Sequence, residues 1–197
     1  MTGQINVNKI APRTGTIVSI PGHVAQTVQT VKTDAFTSSS QTNFVDIGLA
    51  VTITPSLATS KVLVMYKVGT SVVSGAYCCH LRLVRGSTNI ALGDAAGNRV
   101  QATTSALSNT ANGGYNVFYQ TLDFLDSPST TSATTYKVQA RGWNTSAGNF
   151  HVNRNDIDTN SVDHARFVST ITAMEIPQCV RYLLTSLRIH PAVILFR

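Results

Sequence analysis

The sequence is poor in cysteine and has no long apolar run. Of its three cysteines, Cys78 and Cys79 are neighbours, and a bond between adjacent cysteines is sterically strained. A disulfide scaffold is therefore excluded, and synthesis in a reducing compartment is the simpler interpretation. The N-terminal residues lack an apolar core of signal-peptide length, and no run of about 18 apolar residues occurs. We expect neither secretion through a signal peptide nor insertion into a membrane.

Charge is also scarce, and glutamate is almost absent. Charged residues make up 12% of the chain, and Glu175 is the only glutamate. Polarity comes mainly from Ser, Thr, Asn and Gln, a composition that favours strands and loops over helices. The formal net charge is +6, but the basic residues are dispersed rather than clustered. This pattern favours a solubility role over binding of phosphate or acidic glycans, and we expect no nucleic-acid partner.

What the sequence does contain is a two-residue alternation of apolar and polar side chains. The clearest run ends before Pro55 and places five apolar residues at every second position: Val45, Ile47, Leu49, Val51 and Ile53. Such a run is typical of a strand with one buried face. The stretch from Tyr119 to Gly142 predicts two antiparallel strands joined by a polar loop, the first of them apolar on both faces and therefore central in its sheet.

Other strand-like runs complete the pattern. They lie at residues 23–32, where an edge strand is predicted, and at 61–68, 77–84, 99–106, 150–154 and 166–176, with a hairpin turn at 85–89. About eight to ten short strands separated by turn residues predict an all-β fold, an antiparallel jelly-roll-like β-sandwich.

The composition divides the chain into three parts. Residues 1–22 hold two short apolar pieces and no core, which predicts an N-terminal arm that is either disordered or ordered by contact with another chain, in which case it anchors the protein. Residues 23–176 form the predicted sandwich. Residues 177–197 lose Ser and Thr and gain Leu, Ile and Val, some of them at helical spacing. This extension is either a segment that docks on a neighbour or an addition beyond the natural end of the domain.

No catalytic or metal-binding motif is convincing. Asp156, Asp158 and Asn160 alternate as calcium ligands do, but Ser161 and Phe167 stand where such a loop needs glycine and glutamate, which favours a solvated turn. The five histidines lack ligand spacing. We therefore predict that the protein is not an enzyme and uses no metal or cofactor. An enzymatic alternative would need a site between subunits, built from Asp residues such as Asp94.

A cluster of polar and aromatic residues in loops suggests a binding surface. Aromatic rings stack on the apolar faces of sugars, while amides and guanidinium groups bond to hydroxyls. The candidate ligand-binding residues are Tyr115, Trp143, Asn144, Asn149, Arg154 and Asn155. The structural alternative is that Trp143 caps the end of the sandwich and the asparagines form turns.

Several blocks of the sequence resemble a known group of proteins. These are VTITPSLATSKVLVMYKV, LVRGSTNIALGDAAGNR, LDFLDSPSTTSATTYKVQARG and FVSTITAMEI. Together they resemble the C-terminal β-sandwich of phage tail fibres and related virion appendages of marine and cyanobacterial phages, over about residues 21–176. The resemblance implies a structural virion component, assembled in the host cytoplasm and homotrimeric. Residues 1–22 would contact other virion proteins, and a host-surface polysaccharide would be the ligand.

The chain also departs from that group. Only some twenty residues precede the sandwich, whereas a full tail fibre carries a long shaft. A small appendage fits this length better than an independent fibre. The alternatives are a capsid decoration or cement protein, and a carbohydrate-binding module of a degradative enzyme.

Overall fold

The computed structural model describes residues 23–73, 78–107, 116–143 and 148–178. The predicted anchoring arm at residues 1–22 lies outside these ranges, and so does the predicted C-terminal extension apart from Pro177 and Gln178. The fold described below is therefore that of the predicted sandwich domain, residues 23–176.

The described residues form eleven strands and no helix. The strands are β1 Gln26–Lys32, β2 Phe36–Ser38, β3 Val45–Ile53, β4 Lys61–Val72, β5 Cys78–Arg85, β6 Thr88–Ile90, β7 Thr104–Leu107, β8 Phe118–Asp126, β9 Thr134–Trp143, β10 Phe150–Val152 and β11 Ser169–Ile176. All the pairings between them are antiparallel and divide them into two sheets. The prediction of an all-β antiparallel sandwich is confirmed.

Sheet A is built around β4, the longest strand. β8 pairs along one edge of β4 from Val62 to Thr70, and β11 pairs along the other edge from Lys61 to Lys67. β10 continues this second edge where β11 ends, and β2 lies beyond β10. β1 pairs with the far side of β11, which agrees with the edge strand predicted for residues 23–32.

Sheet B is built around β5 and β9. β9 pairs with the whole of β5 on one edge and with β3 on the other. The other edge of β5 pairs with two short strands. β7 pairs with the first half of β5, and β6 pairs with its last three residues. The turn between β5 and β6 is the hairpin predicted at residues 85–89, and Gly86 supplies the positive φ of 58° that it needs.

The core lies between the inner faces of the two sheets and follows the predicted alternation. From β3, Ile47, Leu49, Val51 and Ile53 are at most 4% exposed. β4, β5, β9 and β11 contribute the facing residues: Val62, Val64, Tyr66, Val68, Cys79, Leu81, Leu83, Tyr136, Val138, Ala140, Ile171 and Ala173. Each fully buried large apolar side chain stabilises the fold by about 2 kcal/mol relative to exposure, so this layer is the main driving force for closure.

A β-bulge in β3 preserves that alternation. The pairing with β9 passes from Asp46 opposite Gln139 directly to Leu49 opposite Val138. Because two residues are inserted, the later positions keep their inward direction. Gly48 adopts a φ of +76°, and a Cβ there would lie 3.3 Å from the ammonium nitrogen of the buried Lys32. Glycine is therefore favoured by both the backbone and the space available.

The hairpin predicted between Tyr119 and Gly142 is wrong. β8 lies in sheet A and pairs with β4, whereas β9 lies in sheet B between β3 and β5. The polar loop at 127–133 thus crosses from one sheet to the other. β8 is not a central strand either, because its one pairing among the described residues is with β4. Its outward side chains Tyr119 and Leu125 are 44% and 53% exposed.

Asp126 links the two sheets at the end of β8. Both oxygens of its buried carboxylate accept hydrogen bonds from Arg85 Nη1 at 2.8 Å, and Oδ2 also accepts one from the Tyr136 hydroxyl at 2.7 Å. Burial, followed by the neighbouring Asp126, raises the pKa of Tyr136. Because Arg85 and Tyr136 belong to sheet B, these bonds favour the crossover over a hairpin.

Glu175 is a buried carboxylate held by hydrogen bonds. It is 0% exposed, and Oε1 accepts bonds from Ser56 N at 2.8 Å, Ser56 Oγ at 2.5 Å and Ser60 Oγ at 2.7 Å. Oε2 accepts one from Gln26 Nε2 at 2.6 Å. Burial alone would raise the pKa of Glu175, but these donors outweigh it and hold the pKa below its ordinary value. The carboxylate ties β11 to β1 and to the loop before β4.

We predict that Glu175→Gln reduces stability at neutral pH and flattens its acid dependence. The folded-state pKa is depressed, so the ionised group stabilises the fold above its unfolded pKa and the effect is lost as pH falls through the folded pKa. Replacing one acceptor oxygen by a donor should lower the free energy of unfolding by about 2 kcal/mol near pH 7. Urea titrations from neutral to acidic pH measure both effects.

The matched control is Asp123→Asn on the exposed face of β8. This change removes a carboxylate that lies on the surface, and it should leave the free energy of unfolding near pH 7 nearly unchanged. Parallel curves for the wild type and Glu175→Gln would show that the buried carboxylate contributes nothing of this kind.

Candidate functional site

Two of the segments that carry predicted ligand residues, those at Trp143 and Asn149, lie at one end of the sandwich. In sheet B, Cys78 pairs with both Leu107 and Trp143, so the connections after β7 and β9 leave at the start of β5. In sheet A, Phe150 pairs with Val72, which precedes the connection to β5. This end of the molecule is called the loop end below.

The predicted residues reach this end in different ways. Tyr115 and Asn144 lie outside the described residues. Trp143 is the last residue of β9, and Asn149 immediately precedes β10, where its carbonyl oxygen accepts a hydrogen bond from Val73 N at 3.1 Å. Asn149 is half-buried. The structure therefore places both segments at the loop end, and a role in glycan binding remains a prediction for each.

Arg154 and Asn155 shape the loop between β10 and β11. The Arg154 guanidinium donates to the carbonyl oxygens of Asn155 at 2.9 Å and Asp156 at 2.6 Å. Asn155 is buried, and its Oδ1 accepts a bond from Ala165 N at 3.3 Å. Both side chains bind within the loop. Their observed contacts position the neighbouring residues that line its surface, and ligand contact by them also remains a prediction.

Asn153 anchors the base of this loop. It is 0% exposed and adopts a left-handed φ of 62°, which asparagine tolerates better than most residues. Its Nδ2 donates to the carbonyl oxygens of Lys32 at 2.9 Å and Asp34 at 3.1 Å, and its Oδ1 accepts a bond from Ser169 Oγ at 2.6 Å. The side chain thus joins the segment after β1 to the start of β11.

The loop encloses a polar pocket of about 310 Å³. Its lining consists of hydroxyl, amide, imidazole and charged groups: Asp158, Thr159, Asn160, Ser161, His164 and Arg166. The volume is at the lower end of the range of small-ligand sites. Groups of these types form hydrogen bonds to several hydroxyls at once, which is what binding of a sugar requires.

Arginines fix the charge inside the pocket. Arg166 forms a bidentate ion pair with Asp158, in which the distance from Nη2 to Oδ2 is 2.8 Å. Arg154 Nη1 lies 3.4 Å from Oδ2 of the same carboxylate. The hydrogen bond from Arg166, followed by the charges of both arginines, holds the pKa of Asp158 below its ordinary value. Asp158 therefore stays ionised at neutral pH, and its neighbours are cations rather than a second calcium ligand.

His151 supports the pocket from the β10 side. It is 3% exposed and lies between Thr37 Oγ1, at 2.9 Å from Nδ1, and Asp156 Oδ1, at 3.2 Å from Nε2. Burial lowers the pKa of His151, and the charge of Arg154 adds to this effect. The imidazole is therefore neutral at pH 7 and acts as a structural bridge between β2 and the loop.

An aromatic pair adjoins this loop and was missed from the sequence. Tyr119 of β8 and Phe167, next to Arg166, meet edge to face with ring centroids 6.4 Å apart. The Lys67 ammonium lies 4.4 Å from the Tyr119 centroid, and Gly69 opposite Tyr119 leaves room for its ring. Alternation offered a signal, because Tyr119 shares its face with polar Thr121 and Asp123.

Thiol and metal chemistry find little support in the described geometry. Cys78 Sγ lies 3.2 Å from His80 Nε2, an arrangement that i, i+2 spacing on a strand allows. Burial raises the pKa of Cys78 and lowers that of His80, so the pair is neutral rather than an activated thiolate. In residues 23–73, 78–107, 116–143 and 148–178, no three His, Cys, Asp or Glu side chains are placed to hold a metal. The same ranges contain no helix suited to crossing a membrane.

Comparison with known proteins adds only structural neighbours. No protein-family model matches the chain, and no curated protein matches it. T=1 particles derived from infectious bursal virus match with a TM-score of 0.40 and 11% identity, over 87% of this chain and 40% of that chain. The VP2 subviral particle of infectious bursal disease virus gives 0.37 and 12%, over 88% and 42%. The chain spans about two fifths of these proteins, and such scores carry no inference about function.

We predict that Asn153→Ala loosens the pocket loop. The change removes three hydrogen bonds and places alanine at a positive φ, so the free energy of unfolding should fall by about 3 kcal/mol. Amide hydrogen exchange should accelerate most in residues 154–167. Asn153→Gly is the matched variant, because it removes the same bonds without the backbone strain and should recover about 1 kcal/mol. Unchanged exchange in the loop of both variants would contradict the anchoring role.

Proposed function

We propose that this protein is a non-enzymatic structural component of a phage virion, a tail fibre or small appendage that binds a host-surface glycan. The sequence resemblance to virion appendage sandwiches supports the class of protein. The observation that carries the binding role is the polar pocket at residues 158–166, mounted on a rigid sandwich through Asn153. Binding residues on loops held by a stable scaffold are a common arrangement in recognition proteins.

The surface beside the pocket adds an aromatic pair to these hydrogen-bonding groups. Tyr119 is 44% exposed beside Phe167, so part of an aromatic side chain is accessible next to the polar pocket. Rings of this kind stack on the apolar faces of pyranoses, while the pocket side chains bond to hydroxyls. We place the glycan across residues 158–167, with Tyr119 at its margin.

The proposal includes a homotrimer, with subunit contacts on the outer face of sheet A. The cross-strand row on this face consists of Leu125, Leu63 and Met174. Leu125 is 53% exposed, and Val31 on β1 of the same sheet is 51% exposed. Leu63 and Met174 are half-buried beside Leu125, and apolar side chains grouped on one face are typical of surfaces buried between subunits.

The alternatives use the same sandwich in different ways. A capsid decoration protein would share the attachment role of residues 1–22 but would not need the pocket. A carbohydrate-binding module would use the pocket but would be indifferent to the arm. We favour the appendage because it requires both parts of the chain.

We predict that Asn160→Ala weakens glycan binding about tenfold, because it removes an amide that hydrogen-bonds a hydroxyl in the pocket. Asn160 is exposed, so the fold should be unaffected. The measurement is retention of the labelled protein on an array of bacterial surface polysaccharides. Asn89→Ala, an exposed change in β6 at the opposite end, is the control and should bind as the wild type does. Failure of the wild type to bind any polysaccharide would remove the glycan role.

We also predict that the wild type is a trimer in light scattering and that Leu125→Asp shifts it to monomer. A charge buried between subunits without a partner costs several kcal/mol, which is enough to dissociate the assembly. Leu57→Asp is the control, because Leu57 is also exposed but lies in the connection between β3 and β4. A wild-type monomer at working concentration would refute the trimer.

A further inference from the structure

A basic cluster surrounds one aromatic ring at the start of β3. The guanidinium carbon of Arg82 lies 4.2 Å from the centroid of Phe44, and that of Arg141 lies 5.9 Å from it. Arg82 on β5 and Arg141 on β9 are diagonal neighbours, because Arg82 pairs with Gln139 and Arg141 with His80. Both side chains project from the outer face of sheet B, so two cations meet over one ring.

The charges on this face do not balance. Lys137 projects from the same face of β9, which gives three cations on the outer surfaces of β3, β5 and β9. Asp46 is the one carboxylate among the described residues of these outer surfaces, and it accepts bonds from Lys137 at 2.8 Å and from Gln139 at 2.6 Å. Asp46 also exerts a favourable charge effect on Arg82, but neither Arg82 nor Arg141 forms an ion pair with it.

The hydrogen bonds of the two arginines are to neutral acceptors. Arg82 Nη2 donates to Gln139 Oε1 at 2.6 Å, while its buried Nε has no acceptor in the described part of the chain. Arg141 donates to the carbonyl oxygens of Thr42 at 3.1 Å and Gly142 at 3.3 Å. These bonds orient the guanidinium groups without neutralising them, and an anionic group would gain charge-assisted bonds here.

The cluster lies near the loop end, on the outer face of sheet B. Arg141 is two residues from the end of β9, and the Ser40 carbonyl accepts a bond from Gly142 N at 2.8 Å. Burial, with the charge of Arg141, lowers the pKa of His80, so this neighbour is neutral at pH 7 and does not compete for an anion.

We propose that Arg82, Arg141 and Phe44 bind the carboxylate and ring of an acidic sugar, so that the glycan of the proposed function is a uronic-acid polysaccharide. This inference rests on that function and names its ligand class. The guanidinium groups take the carboxylate, and the edge of the Phe44 ring contacts the sugar. Nucleic acid fits less well, because its binding depends on many phosphate contacts and this cluster offers three cations.

The experiment is an NMR titration of the full chain with glucuronate, glucose and acetate, observing the Nε–H signals of Arg82 and Arg141. Glucuronate should give saturable shifts, while glucose and acetate at equal concentration should give much smaller ones. Arg82→Gln and Arg141→Gln should each weaken glucuronate binding about tenfold. Arg99→Gln, the same loss of charge on an exposed loop, is the control and should have no effect.

Each other outcome overturns the proposal in a defined way. No shift with glucuronate removes the anion site. Equal shifts with acetate leave a plain anion site, and equal shifts with glucose remove recognition of the carboxylate. Displacement of glucuronate by a short oligonucleotide at lower concentration assigns the cluster to nucleic acid. The wild-type titration decides these points even where an arginine variant fails to fold.

The polysaccharide array separates this inference from the proposed function. Binding of neutral polysaccharides alone would retain the glycan role and refute the acidic ligand. Binding of none, with glucuronate still shifting both arginines, would refute the glycan role and leave the anion site in place.

Discussion

The inner faces of the two sheets must stay in contact, because either sheet alone would present rows of Val, Ile and Leu to water. In the core the buried positions of β3, β4, β5 and β9 are filled by such residues together with Tyr66 and Tyr136. This constraint determines the direction of every second side chain, and it even governs the bulge at Gly48, where two residues are inserted rather than one. The polar groups can then occupy only the outer faces, the sheet edges and the loops.

Buried polar residues set where the strands begin and end. Asp126, Asn153 and Glu175 are each within the sandwich, and each joins segments that are far apart in sequence. An unsatisfied carboxylate or amide at these positions would cost more than the bonds gain, so the partners must come into place together. Apolar packing brings the two sheets together. The hydrogen bonds of these three residues then stabilise one arrangement of the strand ends relative to the alternatives.

The strands could be predicted from the sequence where one face is buried and the other is exposed to solvent. β3 and the inner residues Tyr136, Val138 and Ala140 of β9 fit the two-residue period, and the structure buries them. Pairing was not predictable in the same way, because alternation identifies a strand but not its neighbour. A short polar loop between β8 and β9 suggested a hairpin, while the bonds of Asp126 to Arg85 and Tyr136 depend on residues distant in sequence.

The candidate site, too, could be predicted only in part from the sequence. Composition indicated the loops around Arg154 and Asn155, but not that both side chains bind inside their own loop. The pocket at residues 158–166 depends on the ion pair between Arg166 and Asp158. A contact between two side chains of this kind leaves no pattern in the sequence. Tyr119 and Phe167 meet across 48 residues of sequence for the same reason.

Basic residues that are dispersed in the sequence come together when the sheets form. Arg82 and Arg141 are 59 residues apart in sequence and looked like isolated solubilising groups. Pairing of β5 with β9 places them diagonally on one face, beside Phe44, which immediately precedes β3. Their hydrogen bonds are to neutral acceptors, and Asp46, the one carboxylate among the described residues of that face, is paired with Lys137. The same sandwich that buries the apolar residues therefore brings these cations together near its loop end, where an anionic ligand would form charge-assisted hydrogen bonds with them.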